Sequence, residues 1–471
     1  MNATGFSRPR LIVSGDGRGV VGRTGSRLLA DLAEVTGLES GFVDALAPTR
    51  QRSGGHAPGR VAVDLAVLLA DGGEAISDLA VLREQPEVFG PVASDPTAWR
   101  VLNSIDAAGI ARLRGARAVA RELAWAQHAE TRGTFPQAKA AGRVIPGLVV
   151  DIDATIVLCH SEKENATPTW KRTFGYHPLL CFLDNTGEAL AGILRPGRAG
   201  SNTAADHVEA LDLALAQLPD EHRHGTPVLV RADTAGCTHA FLAHIRTLRE
   251  QGVDVRFSVG APVDEQIRAA ITALPASAWY PAIEADGQVR DGAEVAELTG
   301  LLYGYGTHLP AGTRFLVRRE RPHPGAQLSL FDTIEGYRHQ VIATDTPPSH
   351  GPLTWIEARH RAHARVEDRI RCGKDSGFGR FPSRDYAINQ AWLELALTGI
   401  DLTAWMRMLL LDGALARAEP KKLRYRLLHV AARITRSARQ TTLHIASTWP
   451  WASQLAAAFA TLAQLPRPVT S

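Results

Sequence analysis

The chain has 471 residues, 45% of them hydrophobic and 21% charged, a composition that excludes a disordered or fibrous protein. Its length calls for roughly two to four domains. A formal net charge of +3 argues only weakly for a nucleic-acid partner, but the positive charge is almost all arginine and is bunched in particular segments. Cys159, Cys181, Cys237 and Cys372 are scattered with no C-x-x-C pair, which argues against a structural zinc site or a disulfide scaffold. No signal pattern opens the chain and no apolar run is long enough to span a bilayer, so a soluble cytoplasmic protein is expected.

Residues 1–145 read as helices joined by Gly/Pro/Ser-rich breaks. A strand-like run from Leu11 leads into Gly17-Arg-Gly19-Val-Val-Gly22, a G-x-G-x-x-G pattern. A dinucleotide site would need a second strand and an acid about 20 residues on. Leu38–Leu46 reads as helix instead, and the segment is taken as a flexible basic loop. Arg27–Val35 and Leu38–Leu46 flank Gly37, the outline of a helix-turn-helix. Arg50–Arg60 reads as a basic, glycine-rich loop and Leu113–Gln127 as a helix.

The character changes at Arg143. Leu148, Val150 and Ile152 alternate with Val149, Asp151 and Asp153, which predicts a strand. The apolar runs Pro178–Leu183 and Ala189–Leu194 flank Asp184-Asn-Thr-Gly187, a hairpin. Thr203–Leu218 has helical spacing, Val228–Asp233 is a strand, His239–Gln251 a helix and Val253–Val259 a strand. Residues 262–345 break the alternation with β-like pieces such as Thr313–Val317 and Gln340–Ala343. Helices are predicted from Trp355 nearly to the end.

Three carboxylates occupy telling places in this order. Asp153 ends the first strand, Asp233 ends Val-Leu-Val-Arg-Ala-Asp, and Glu367 lies in a helix; the separations are 80 and 134 residues. Singly, acids at strand ends are often turn or cap residues. Together they suit phosphodiester chemistry, where two divalent ions about 3.5–4 Å apart stabilise the entering and leaving oxygens. Mg²⁺ prefers oxygen ligands and is held by carboxylates plus substrate phosphates. Asp151 and Asp153 share one strand face, and either could reach a metal; Asp153 is nearer the C-terminal end.

At these residues the chain resembles the DDE transposases of bacterial insertion sequences, specifically transposase DDE domain group 1, from about residue 145 to the C-terminus. The carriers are Asp153-Ala-Thr155, His160-Ser-Glu-Lys-Glu164, Phe174-Gly-Tyr-His-Pro178, Leu194-Arg-Pro-Gly197, Arg231-Ala-Asp233, and Glu367-Asp-Arg-Ile370 with Lys374. Many relatives carry Y-x₂-R-x₃-E-x₆-K around the glutamate. Glu367 and Lys374 keep that spacing, but His360 and His363 stand where Tyr and Arg are usual.

The resemblance implies a ribonuclease H-like α/β fold, a mixed sheet with flanking helices, and catalytic, metal-holding roles for Asp153, Asp233 and Glu367. It implies two Mg²⁺ ions, with Mn²⁺ as a substitute. It also implies an endonuclease and strand transferase acting on double-stranded DNA, namely the element's terminal inverted repeats and the target, as a homodimer associated with the nucleoid. A nuclease without strand transfer and a decayed DNA-binding repressor are the alternatives.

The expected organisation is a helical DNA-binding region over 1–145, a first catalytic part over 146–261 and a β-rich insertion over 262–345. Closing core helices with Glu367 follow over 346–412, then a basic helical region over 413–471. His160, Lys163 and Lys171 form a candidate phosphate-gripping loop, joined by Arg369 and Lys374. Lys422, Arg426, His429, Arg433 and Arg436 recur at spacings of 4, 3, 4 and 3, one helical stripe beside Leu423, Leu427, Val430 and Ile434. Alone such a face is merely solvated. Beside a DNA-cutting core it is read as tracking phosphates.

Overall fold

The computed structural model describes residues 12–467 apart from 51–53, 201–202, 303–304, 306–308, 323–324, 326–328 and 438–439. Leu11 of the glycine-rich run and 51–53 of the basic loop lie outside the described residues.

The N-terminal region is helical as expected. Helices α1 (Arg27–Val35) and α2 (Leu38–Ala45) meet at Gly37, whose φ of 73° is left-handed and suits glycine. Leu38, Phe42 and Ala45 of α2 are buried, Ser40 and Asp44 face solvent, and Glu39 is paired with Arg60 at 2.8 Å.

Helix α3 (Pro58–Ala70) begins inside the segment read as a loop. Pro58 sits in its first turn, where no N–H is missed, and a Cβ on Gly59 would lie 2.2 Å from the Phe42 backbone. Helix α4 (Ala107–Arg132) is capped by Asp106, which accepts from the Gly109 N–H at 2.7 Å.

Strand β1 (Leu148–Ala154) lies in the interior of the main sheet. Its alternation sends Leu148, Val150 and Ile152 into one core, while Val149 enters a second core on the opposite face. The hairpin β2 (Leu179–Leu183) and β3 (Ala189–Ile193) runs antiparallel to it on one side. Helix α5 (Ala204–Leu215) then crosses to β4 (Val228–Ala232), parallel to β1, and α6 (His239–Glu250) leads to β5 (Val255–Ala261), parallel to β4.

The β-rich insertion does not stand apart. Its strands β6 (Tyr280–Ile283), β7 (Val289–Glu297), β8 (Arg314–Glu320) and β9 (Arg338–Thr344) extend the core sheet, with β9 antiparallel to β5. The result is one nine-stranded sheet in the order β6-β7-β8-β9-β5-β4-β1-β2-β3. Helices α7 (Leu353–Arg361) and α8 (Arg365–Gly373) close the second face, with Trp355 and Ile356 packed against the core of Val149 and Leu229.

Helix α9 (Tyr386–Leu410) is buried on nearly all sides and mostly apolar, with Glu394 and Asp401 as buried acids. It packs against α3, α4 and β3. Two arginines of α4 are fully buried against it. Arg117 pairs with Glu394 and, at 2.9 Å, with Asp401; Arg121 reaches Asp401 at 2.5 Å and Glu188 at 2.9 Å. The N-terminal helices are thereby bonded into the catalytic half. No helix among the described residues is long and apolar enough to cross a membrane.

The C-terminal region departs from the helical expectation. A short π-helical turn over Arg424–Leu428 ends the helix, and the chain continues as a hairpin, β10 (Ala432–Ser437) and β11 (Gln440–Ile445), before α10 (Ala452–Gln464). The single basic stripe therefore does not exist: Lys422 and Arg426 are helical, whereas Arg433 and Arg436 lie on a strand, three residues apart and on opposite faces. Ile434, Thr435, Thr441, Thr442 and Ile445 are β-branched, a strand signal that the helical spacing of the basic residues concealed.

The glycine-rich run belongs to the same sheet. Val20 and Val21 pair with Arg433 and Ala432, and a Cβ on Gly19 would meet the Ile434 carbonyl at 2.7 Å. Gly19 thus allows the close approach of two strands.

Candidate active site

Strands β1 and β4 are parallel neighbours with Ile152 opposite Ala232, so their C-terminal ends open at one place. Asp153 lies at that end of β1, half-buried, with one oxygen accepting from the Ala154 N–H at 2.8 Å. Asp233 follows β4 directly and is exposed. One of its oxygens caps the next turn, accepting from the Ala235 N–H at 2.9 Å, so the cap reading and the site reading hold together. Glu367 is exposed in the first turn of α8.

Asp233 and Glu367 line one cleft of about 550 Å³ with Gly260, Arg318, His360 and His363. Asp153 stands beside them in electrostatic reach. Burial first, with the like charges of Asp233 and Glu367, pushes its carboxyl up to about 6 against the pull of His363. Three neighbouring carboxylates of like charge fit a cation. Among the described residues no three His, Cys, Asp or Glu side chains already stand as a ready metal cage. An all-oxygen set of this kind suits Mg²⁺, which takes one or two carboxylates and completes its shell elsewhere.

The structure separates Asp151 from Asp153. Asp151 is fully buried and accepts from Arg231 at 2.7 and 2.9 Å, from His363 Nδ1 at 2.9 Å and from Arg369 at 3.2 Å. Although burial pushes it up, Arg231 and His363 outweigh that and hold its carboxyl below the usual range. Arg231 and Arg365 also bind Asp184, at 2.9 and 2.7 Å, and Arg369 pairs with it too. This network pins α8, and so Glu367, to β1 and β4.

Arg231 and Asp184 were read only as part of a motif and a turn. The signal was an arginine inside the otherwise apolar Val-Leu-Val-Arg-Ala, which demands a buried carboxylate; its register partner is Asp151. His360 lines the cleft from a partly buried position: burial drives it down to about 3, and it lies 3.0 Å from the Ser258 hydroxyl.

The expected DNA-contacting residues are divided. Arg369 belongs to the buried network. Lys163 is held by the carbonyls of Phe381 and Ser383, the latter at 2.9 Å, and burial lowers its ammonium below the usual value. It ties the loop after β1 to the segment before α9 rather than facing outward. Lys374 donates to the Ile156 carbonyl at 2.9 Å; burial, then the nearby charge of Lys171, lowers it. Lys171 therefore joins Lys374 near the end of β1, its ammonium 5.0 Å from the Trp170 ring centroid, and His160 is exposed. The loop itself folds, with Phe174–Tyr176 pairing to Val157–Leu158 and Thr167–Pro168. Lys422, Arg433 and Arg436 are exposed on the C-terminal elements, and Arg426 lies 4.9 Å over the Trp451 ring.

The family described as transposase DDE domain group 1 matches residues 4–467, nearly the whole chain. The protein belongs to that family. DDE transposases as a group use divalent metal ions and act on DNA. No curated protein matches the chain. A cryo-EM structure of the piggyBac transposase synaptic complex with hairpin DNA is similar at a TM-score of 0.39 and 9% identity, over 86% of this chain and 79% of that one.

Proposed function

We propose that this transposase cleaves the ends of a mobile DNA element and joins the freed 3′-hydroxyls to target DNA, using Asp153, Asp233 and Glu367 as its catalytic carboxylates. The observation that supports the reading is that Asp233 and Glu367, from the end of β4 and from α8, line one cleft, and that the charges of both act on Asp153 at the end of β1. Two Mg²⁺ ions, when bound, would offset charge on the entering and leaving oxygens and sharpen the nucleophile. The carboxylates would hold them, and the Asp151 network would fix where Glu367 points. Lys171, Lys374, His160 and the exposed C-terminal cations would grip phosphates, and cutting two ends together calls for a dimer on DNA.

The test is Mg²⁺-dependent nicking of a duplex carrying the element's ends, with joined products scored separately. Asp233→Asn and Glu367→Gln should abolish nicking while end binding stays near the wild-type level. Full activity in either variant would overturn the assignment. Nicks without joined products would point to a nuclease.

A further inference from the structure

Helix α8 has a second working face. Glu367 looks into the catalytic cleft, while Arg365, Arg369 and Arg371 line a separate cavity of about 340 Å³, bounded by the Asp184–Gly187 turn and by Arg407 of α9. The charges there do not balance. Arg365 and Arg369 are paired with Asp184, and Arg371 with Asp368 and Glu419 at 3.2 Å each. Arg407 and Arg417 line the same cavity, and among the described residues neither has a carboxylate partner.

Arg407 is the unusual one. Its Nε is sealed from solvent with no hydrogen-bond partner. Burial and the like charge of Arg369 lower its guanidinium below the ordinary value. A guanidinium kept in a pocket, beside another cation and without an acceptor, is costly unless an anion arrives. The turn is cut to leave it reachable: a Cβ on Gly187 would lie 3.1 Å from Arg407 Nη2 and 3.8 Å from Arg369 Nε. Arginine's planar fork is suited to phosphate oxygens.

We infer that this cavity is a phosphate site, centred on Arg407 with Arg371 and Arg417 at its mouth, and that it takes a phosphate of the DNA. The choice of DNA rests on the function proposed above; the oxyanion chemistry does not. A DNA phosphate held on one face of α8 would fix the duplex relative to Glu367 on the other.

Two measurements test it on the full chain. Thermal unfolding is followed with inorganic phosphate against chloride at matched ionic strength, and DNA binding is followed against salt. Millimolar phosphate should raise the wild-type melting temperature by about 2 °C. Arg407→Gln should lose that rise, and its log–log salt slope for DNA should flatten by about 0.9, one phosphate contact. Arg407→Lys should keep part of both. Because Arg407 lies in a buried helix, Arg417→Gln, an exposed position, serves as the second variant and should halve the phosphate effect or more.

A phosphate effect with an unchanged DNA slope would overturn the DNA assignment in favour of a free oxyanion. No phosphate effect and no slope change would overturn the site. Wild-type protein that binds no DNA would refute the transposition reading and the DNA occupant together, while the phosphate arm would still decide the cavity.

Discussion

Two aspartates two residues apart should fail in opposite ways when removed. Asp151 is fully buried and accepts four hydrogen bonds, two from Arg231 and one each from His363 and Arg369. Asp151→Ala would leave the Arg231 guanidinium, itself fully buried, with Asp184 at 2.9 Å and the Arg359 carbonyl at 2.7 Å. Breaking a buried pair by deleting one partner costs about 3–5 kcal/mol. Asp151→Asn keeps an acceptor and should cost less. It should retain a measurable nicking rate, lowered about 10–100-fold through a looser α8.

Asp153→Ala, by contrast, removes one of three mutually repelling carboxylates, so stability should hold or rise while Mg²⁺-dependent nicking disappears. Denaturant unfolding and a nicking assay on the same preparations read both effects. A stable but inactive Asp151→Ala beside an active Asp153→Ala would refute the reasoning and move the first catalytic aspartate to Asp151.

Gly260→Ala would place a Cβ 2.8 Å from the Thr234 backbone nitrogen, in the turn that presents Asp233. Nicking should fall on the order of 100-fold with DNA binding retained, since small misplacements at a reacting centre are expensive; unchanged nicking would show that the turn can shift freely. Because Arg433 and Arg436 lie on opposite faces of β10, changing both to Gln should flatten the DNA salt slope by about one contact, and a loss of two or more would mean that the hairpin inserts between strands of DNA.

Asp64 has one oxygen buried without a partner, and burial, opposed by Arg60, raises its carboxyl to about 6. Its ionisation is thus a cost that is absent below the unfolded pKa near 4, grows between pH 4 and 6, and is complete above the folded value. Asp64→Asn should therefore stabilise the protein at pH 8, by up to about 3 kcal/mol, and not at pH 4; equal effects at both would contradict the assignment.

Much of the catalytic half was legible because its signals are local. The alternation in Leu148–Ala154, the Asp184–Gly187 turn and the helical spacing after Thr203 each reflect a single element, and each formed within a few residues of the expected limits. The places of the three carboxylates were legible in the same way, Asp153 and Asp233 at the ends of β1 and β4 and Glu367 in a helix. The C-terminal hairpin was missed because two local signals compete there. Lys422, Arg426, Arg433 and Arg436 have helical spacing by arithmetic, but the β-branched residues of β10 and β11 pair into a hairpin, to which Val20 and Val21 add two residues from some 410 positions earlier.

What no local pattern could reveal is how charge is distributed between Asp151 and Asp153. Both are strand residues on one face, and one is saturated by Arg231 because β4 happens to place that arginine at its register partner. The consequence reaches Glu367. A glutamate on a surface helix can serve a metal site only if its helix is held to the sheet. Here Arg365 and Arg369 of the same helix do the holding, by gripping Asp184 and Asp151 from positions two residues on either side of Glu367. The proposed role of the acids that sequence singles out therefore depends on the arginines it leaves in the background, and α8 carries both sets on one short stretch of chain.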